Sequence, residues 1–150
     1  MRIERASVDD AAETLALIKR AFGSVGEQYG DPNLPPLAET LEEHRAVYAS
    51  GIVLKAIESG RIVGSVQGIP QDDGSCYVAR LVVEPLMQGR GIGRALATEL
   101  EKRFPAATGF SLFTGHRSEE TLGLYHSLGF SETRRQIIND ALTLVWMEKR

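Results

Sequence analysis

The sequence predicts an α/β (α+β) fold in a single domain over residues 1–150, with a mixed, mostly antiparallel central sheet flanked by helices. Three features point there. Ile52–Ile57 and Arg61–Ile69 are apolar, β-branched runs joined by Ser59-Gly60, a hairpin signal. Cys76–Val83 is almost continuously apolar, as a central strand buried on both faces would be. A helix-periodic segment separates that run from the next strand candidate, Gly109–Thr114, so a crossover lies at the middle of the sheet.

The remaining elements follow in order. Arg2–Ala6 is a short strand candidate. Ser7 reads as a helix N-cap, with Asp9 and Asp10 placed to favour the positive end of the helix dipole. Ala11, Leu15, Ile18 and Phe22 then share one helical face, and Gly23 marks a stop. Gly23–Thr40 carries Gly26, Gly30, Pro32, Pro35 and Pro36 without a period, and reads as a long binding loop with room for helical turns. Leu41–Ala49 is a second short helix. Asp72-Asp73-Gly74 turns the chain into Cys76–Val83. After Glu84-Pro85, a helix covers roughly Gly91–Arg103, with Leu96, Leu100 and Phe104 inward and Pro105 closing it. Ser118–Leu128 is a helix ended by Gly129, and Ser131–Ile138 and Leu142–Lys149 are the last strands. The final strand, with Trp146, is assigned to the core of a monomer, a homodimer edge being the other arrangement.

Composition narrows the function. A net charge of -3 argues against nucleic-acid and anionic-membrane binding. No apolar run approaches the ~20 residues that span a bilayer. The lone Cys76 forms no intramolecular disulfide and sits among apolar residues as a packing group; with no signal peptide at Met1–Asp10, the expected compartment is the cytoplasm. His44, His116 and His126 lack metal-ligand spacing, so no metal is expected.

The sharpest local feature is the turn holding Gly89, Gly91 and Gly93, where a buried strand feeds the start of a helix. Glycines allow close backbone approach and positive φ. The free N–H groups of a first helical turn, backed by the dipole, suit a phosphate. Arg90 and Arg94 add positive charge. Arg94-Ala95 after Gly93 excludes a Walker loop, and Arg94 stands where a dinucleotide fingerprint needs its third glycine.

Gln88-Gly89-Arg90-Gly91-Ile92-Gly93 resembles the acetyl-CoA motif of the GNAT superfamily of acyl-CoA-dependent N-acetyltransferases: Gln or Arg, two residues, Gly, one residue, Gly or Ala. Leu81–Met87 resembles the family's hydrophobic strand and Pro-containing turn. Leu124-Tyr125-His126-Ser127-Leu128-Gly129-Phe130 resembles its second signature, an aromatic-bearing helix ending in Leu-Gly-Phe. The resemblance implies a GNAT-like fold and residue roles. The backbone of Leu81, Val82 and Val83 would pair with the pantetheine arm of acetyl-CoA as an added strand. Gln88, Gly89, Arg90, Gly91, Ile92, Gly93 and Arg94 would hold the pyrophosphate, and Tyr125 would sit near the thioester sulfur. Ser118 stands where many relatives carry Asn; it reads equally as a cofactor contact and as a helix N-cap.

Acetyl transfer to an amine needs a neutral nucleophile, a stabilised oxyanion and a protonated leaving thiol. A thiol of pKa about 8.5 and a phenol of about 10 make Tyr125 the candidate general acid. A backbone amide near Val83 is the candidate oxyanion donor. Some relatives place a Glu on the central strand as base; here that position is Tyr77. Glu84, His116, Glu27, Asp31 or a chain of waters remain open as the route for the amine's proton. Glu27, Asp31, Glu39, Glu42 and Glu43 around Tyr29 hint at an acidic rim for a cationic acceptor, either a small molecule or a peptide or protein amine. A non-catalytic acyl-CoA-binding module is the competing expectation.

Overall fold

The computed structural model describes residues 1–150. Seven strands form one sheet: β1 (Arg2–Arg5), β2 (Ile52–Glu58), β3 (Arg61–Pro70), β4 (Cys76–Val83), β5 (Phe110–Gly115), β6 (Ser131–Ile137) and β7 (Thr143–Lys149). Their spatial order is β1-β2-β3-β4-β5-β7-β6, and only β4 and β5 pair in parallel. The helices are α1 (Ala11–Gln28), α2 (Pro35–Ala38), α3 (Leu41–Ser50), α4 (Ile92–Lys102) and α5 (Glu119–Ser127). The crossover through α4 is the one expected.

Two expectations are corrected. The first concerns Gly23, which does not end α1. The apolar period carries on from Phe22 to Val25 and Tyr29, and the helix follows it to Gln28. Gly23 costs about 1 kcal/mol relative to Ala in a helix interior, which the packing of the long apolar face outweighs. The stop is Gly30, at φ 64, where glycine adopts the left-handed conformation without strain. Gly26 serves contact instead: a Cβ there would come within 2.6 Å of Leu37, so its absence lets α1 meet α2 closely. The supposed long loop thus becomes helix end, short link and α2.

The second correction concerns β4. It is central, but it is not buried on both faces: Cys76, Val78 and Val82 are buried while the residues between them are partly exposed. The reason is the pairing. β4 and β5 are joined only at Cys76–Phe110 and Tyr77–Ser111; beyond that they part and leave a gap. On the other side, Ser65 pairs with Val82 and Gln67 with Ala79, so Arg80 and Leu81 stand opposite the single Val66. This is a β-bulge, and Arg80 takes φ 52 to form it.

The core lies on both sheet faces. Leu54, Val66, Val78, Leu112 and Met147 meet Leu96 and Leu100 of α4 and Tyr125 of α5 on one side. Leu17 and Ile18 of α1 meet Ile62 and Val82 on the other. Each such side chain contributes roughly 1.5–3 kcal/mol by burial. Cys76 is fully buried, and burial pushes its thiol up to about 11, which fits packing and not nucleophilic work.

A buried polar chain ties α1 and α3 to the β4 bulge. Tyr48 and Thr14 share a 2.6 Å hydrogen bond, and Thr14 Oγ1 lies 2.7 Å from His44 Nε2. His44 Nδ1 lies 3.1 Å from Glu39 Oε1, and Arg80 Nη2 donates to Glu39 Oε2 at 3.1 Å. A neutral His44 with its proton on Nδ1 satisfies every link: Tyr48 donates to Thr14, Thr14 to His44, and His44 to Glu39. Burial holds the His44 pKa below the ordinary histidine value, with Glu39 opposing. The unfolded chain therefore takes up this proton first as pH falls. The His44 contribution is complete above about pH 6.5 and is lost as pH drops below it. We expect the urea midpoint to fall between pH 7.5 and 5.5, with a shallower slope in His44→Gln; equal slopes in the two proteins would contradict this.

Candidate active site

The gap between β4 and β5 opens into a cleft of about 730 Å³. Its floor is Leu81 and Val83. One wall is the turn and first residues of α4; another is Arg117, Ser118 and the first turn of α5; the third is Ala21, Ser24, Val25 and Gln28 of α1. The cleft therefore depends on the part of α1 that the Gly23 stop would have removed. The continued period at Val25 and Tyr29 was the signal for it.

Local sequence explains each wall. Gly89 and Gly91 lie at φ 80 and 82, a region that non-glycine residues enter only at a cost. A Cβ on either would meet nothing within 4 Å, so both face open space. Gly91 is the N-cap of α4, without a side chain to cap the helix. The N–H groups of Ile92, Gly93 and Arg94 have no carbonyl one turn back, and these three residues line the cleft at the positive end of the helix dipole. Gly93 is different: a Cβ there would make ordinary contacts of 3.6 and 3.7 Å with Leu124 and Val83. Gln88 Nε2 reaches back to Val83 O at 3.4 Å and links turn to strand.

Leu81, Val83, Gln88, Gly89, Gly91, Ile92, Gly93, Arg94 and Ser118 line this one cleft. Val82, Arg90 and Tyr125 do not. Val82 points to the opposite face, beneath α1. Arg90 is exposed on the turn. Arg94 lines the cleft, but one N–H of its guanidinium is committed to Ser127 Oγ at 2.6 Å, bracing α4 against α5. Ser118 is the N-cap residue of α5, and its carbonyl accepts from Leu122 N at 3.0 Å, but its hydroxyl makes no capping bond and lies 3.3 Å from the Tyr29 hydroxyl.

Tyr125 sits behind the cleft, 4% exposed and edge-on to Phe130 at 5.2 Å. Burial, aided by the nearby Tyr77 phenol, raises its pKa well above the ordinary phenol value. Its proton is therefore held firmly at neutral pH. That widens the mismatch with a thiol of about 8.5, so hydrogen-bond donation suits Tyr125 better than full proton transfer.

Tyr29, named in the sequence only as lying among the rim carboxylates, is a second anchor. It is buried, its hydroxyl accepts from Arg117 N at 2.8 Å, and its ring occupies the place where Gly115 would carry a Cβ. The Gln28 amide and the Arg117 guanidinium exchange bonds to each other's carbonyls at 3.3 Å, closing the wall between α1 and α5.

Several of the carboxylates considered for a base or for the acidic rim are engaged. Glu84 is ion-paired with Arg20 at 2.7 Å, Glu39 is ion-paired with Arg80 and accepts from His44, and Asp31 accepts from Asn33 N. Glu43 closes a capping box with Thr40. The acidic rim is thus largely internal structure. No cluster of His, Cys, Asp or Glu could hold a metal ion. No helix is long and apolar enough to cross a membrane.

A Gly-turn on α4 beside parted parallel strands gives the site its outline, and comparison with known proteins gives it a family. Residues 37–150 match the family model described as acetyltransferase (GNAT) domain. The chain belongs to the GNAT acetyltransferase family. Solved structures agree on the fold. A ribosomal-protein-alanine N-acetyltransferase from Brucella melitensis is 23% identical, with a TM-score of 0.78 and 99% of each chain covered. A GNAT-family acetyltransferase from Streptococcus pneumoniae is 20% identical, with a TM-score of 0.77, covering 99% of this chain and 98% of that one. The PaiA N-acetyltransferase from Thermoplasma acidophilum, solved with coenzyme A, is 16% identical, with a TM-score of 0.78, covering 100% and 99%. The GNAT-like architecture expected from Gln88–Gly93 and Leu124–Phe130 is therefore the one present.

The two loop glycines differ in what they tolerate. Gly91→Val forces a β-branched residue to φ 82 and should cost about 1–2 kcal/mol. Gly93→Ala should leave the stability within about 0.5 kcal/mol of the parent, as a substitution without steric conflict does. Equal melting of the two variants would refute the assigned geometry.

Proposed function

We propose that this GNAT protein transfers an acetyl group from acetyl-CoA to a primary amine, on a small molecule or on a peptide or protein, by direct attack on the thioester. The observation that carries the reading is the gap between β4 and β5 meeting the amide-lined start of α4. The amides of Gly89–Arg94 would hold the pyrophosphate. The free edge of β4 over Leu81–Val83 would pair with the amide groups of the pantetheine arm, replacing the bonds that β5 does not make. The Brucella relative acts on a protein alanine amine, as its name states, which supports an amine acceptor in this family.

The chain's own groups divide the work. Amides of the β4 edge near Val83 polarise the thioester carbonyl, where oxyanion charge develops. Tyr125 donates a hydrogen bond toward the leaving sulfur and keeps its own proton. The cleft walls align amine and thioester, which supplies much of the rate. With Tyr77 at the strand position of the missing Glu, and with Glu84 ion-paired to Arg20, the amine's proton leaves through water. The absence of a carboxylate at the Tyr77 position is what favours a non-catalytic acyl-CoA-binding module as the second reading. Release of CoA thiol in the presence of an amine separates the two.

At about 100-fold excess over its Kd, acetyl-CoA should stabilise the protein by about 2.7 kcal/mol, a rise of roughly 5–10 °C in melting temperature. No shift at millimolar acetyl-CoA would remove the donor assignment. Tyr125→Phe should keep that shift while lowering kcat by about 10²-fold, the size of a positioned donor's effect; unchanged kcat would free Tyr125 of any part in the reaction.

A further inference from the structure

The face of the sheet opposite α4 carries two buried donors that the chain itself leaves without partners: Gln67 Nε2 and Arg80 Nε. Gln67 is 3% exposed. It pairs across the strands with Ala79, the residue before Arg80, so the two side chains arise side by side. An unpaired buried donor is costly, and two together at a bulge make a place that calls for an oxygen. The bulge creates the place. Without its φ of 52, strand alternation would send Arg80 to the α4 face; with it, the guanidinium reaches Glu39 instead. Glu39 is in turn braced by His44, so the guanidinium is held from behind while Nε remains free.

Next to these donors lies an aromatic floor. Tyr77 stacks on Phe113 with ring centres 6.1 Å apart, and Phe113 meets Trp146 at 4.9 Å. All three are only partly buried. The α1–α2 segment, through Tyr29, Leu34 and Leu37, packs on Leu144 and Leu142 and walls this floor on one side. Leu81, the residue after Arg80, lines the donor cleft, so along β4 the oxygen-seeking pair is one residue from that cleft.

We propose that Arg80 and Gln67 form the subsite that grips an oxygen of the acceptor, a carboxylate or amide carbonyl next to its amine, while Tyr77, Phe113 and Trp146 take its apolar or aromatic body. The pair Arg80–Glu39 is already neutral, and an uncharged carbonyl and a carboxylate both meet its free N–H. A bare alkylamine meets neither. This deepens the acetyl-transfer reading and rests on it.

The test uses the whole protein and three matched probes: phenylalanine, phenylalaninamide and phenethylamine. With acetyl-CoA saturating, release of CoA thiol gives kcat/KM for each. The acid or the amide should exceed the bare amine by at least tenfold, and which of the two leads tells carboxylate from carbonyl. Arg80→Met and Gln67→Met should each collapse that ratio toward one while keeping the melting shift with acetyl-CoA. A second readout does not need turnover. In the CoA complex, the ¹⁵N-¹H signals of Arg80 Nε and the Gln67 amide should move on titration with N-acetylphenylalaninamide or N-acetylphenylalanine, and not with N-phenethylacetamide. A ratio near one in the parent protein, a ratio unchanged in both variants, or still signals with every probe overturns the subsite. Loss of the acetyl-CoA melting shift in the parent protein overturns the transfer reading instead.

Discussion

A strand edge that has no strand beside it governs this molecule. In the middle of a seven-stranded sheet, β4 and β5 pair over two residues and then separate. Backbone N–H and C=O groups are obligatory hydrogen-bonding groups, so an unpaired edge inside a sheet is tolerable only where water or a ligand can reach it. The surrounding elements are arranged around that opening. α4 begins at its rim with amides free, α5 begins on the far side, and the end of α1 lies across the third side. The bulge at Arg80 belongs to the same arrangement, because it changes which side chains face the opening and which face the opposite layer.

Tyr29 holds those walls in register. It terminates α1, sits in the space left by Gly115, and takes the amide of Arg117, so one ring fixes helix α1 to the turn between β5 and α5. The Arg94–Ser127 bond does the corresponding work between α4 and α5. Both contacts join elements far apart in sequence, and neither is visible as a local pattern.

The fold was largely legible because its signals are local. The Ser59-Gly60 hairpin, the apolar period of α4 and the glycines at positive φ each act within a few residues. The glycine-rich wall of the cleft was legible for the same reason, since Gln88–Gly93 is one short stretch of chain. What sequence reading lost was tertiary. Gly23 looks like a stop, and only packing against the sheet and α2 shows that the helix passes through it. Cys76–Val83 looks buried on both faces because composition does not record that its neighbour parts from it. The network of Thr14, His44, Glu39 and Arg80 spans 66 positions of sequence, from 14 to 80, and no spacing rule connects them. Glu39, read as rim charge, turns out to be its hinge.

Cys76 has a practical bearing. It is the chain's one thiol, fully enclosed at the start of β4, with its ionisation pushed up to about 11. A disulfide dye added to the folded protein therefore reacts with coenzyme A and leaves the polypeptide unlabelled. The sulfur becomes reactive only when β4 leaves its neighbours. Its labelling rate thus times the opening of the central strand, a clock carried by the molecule without an added probe.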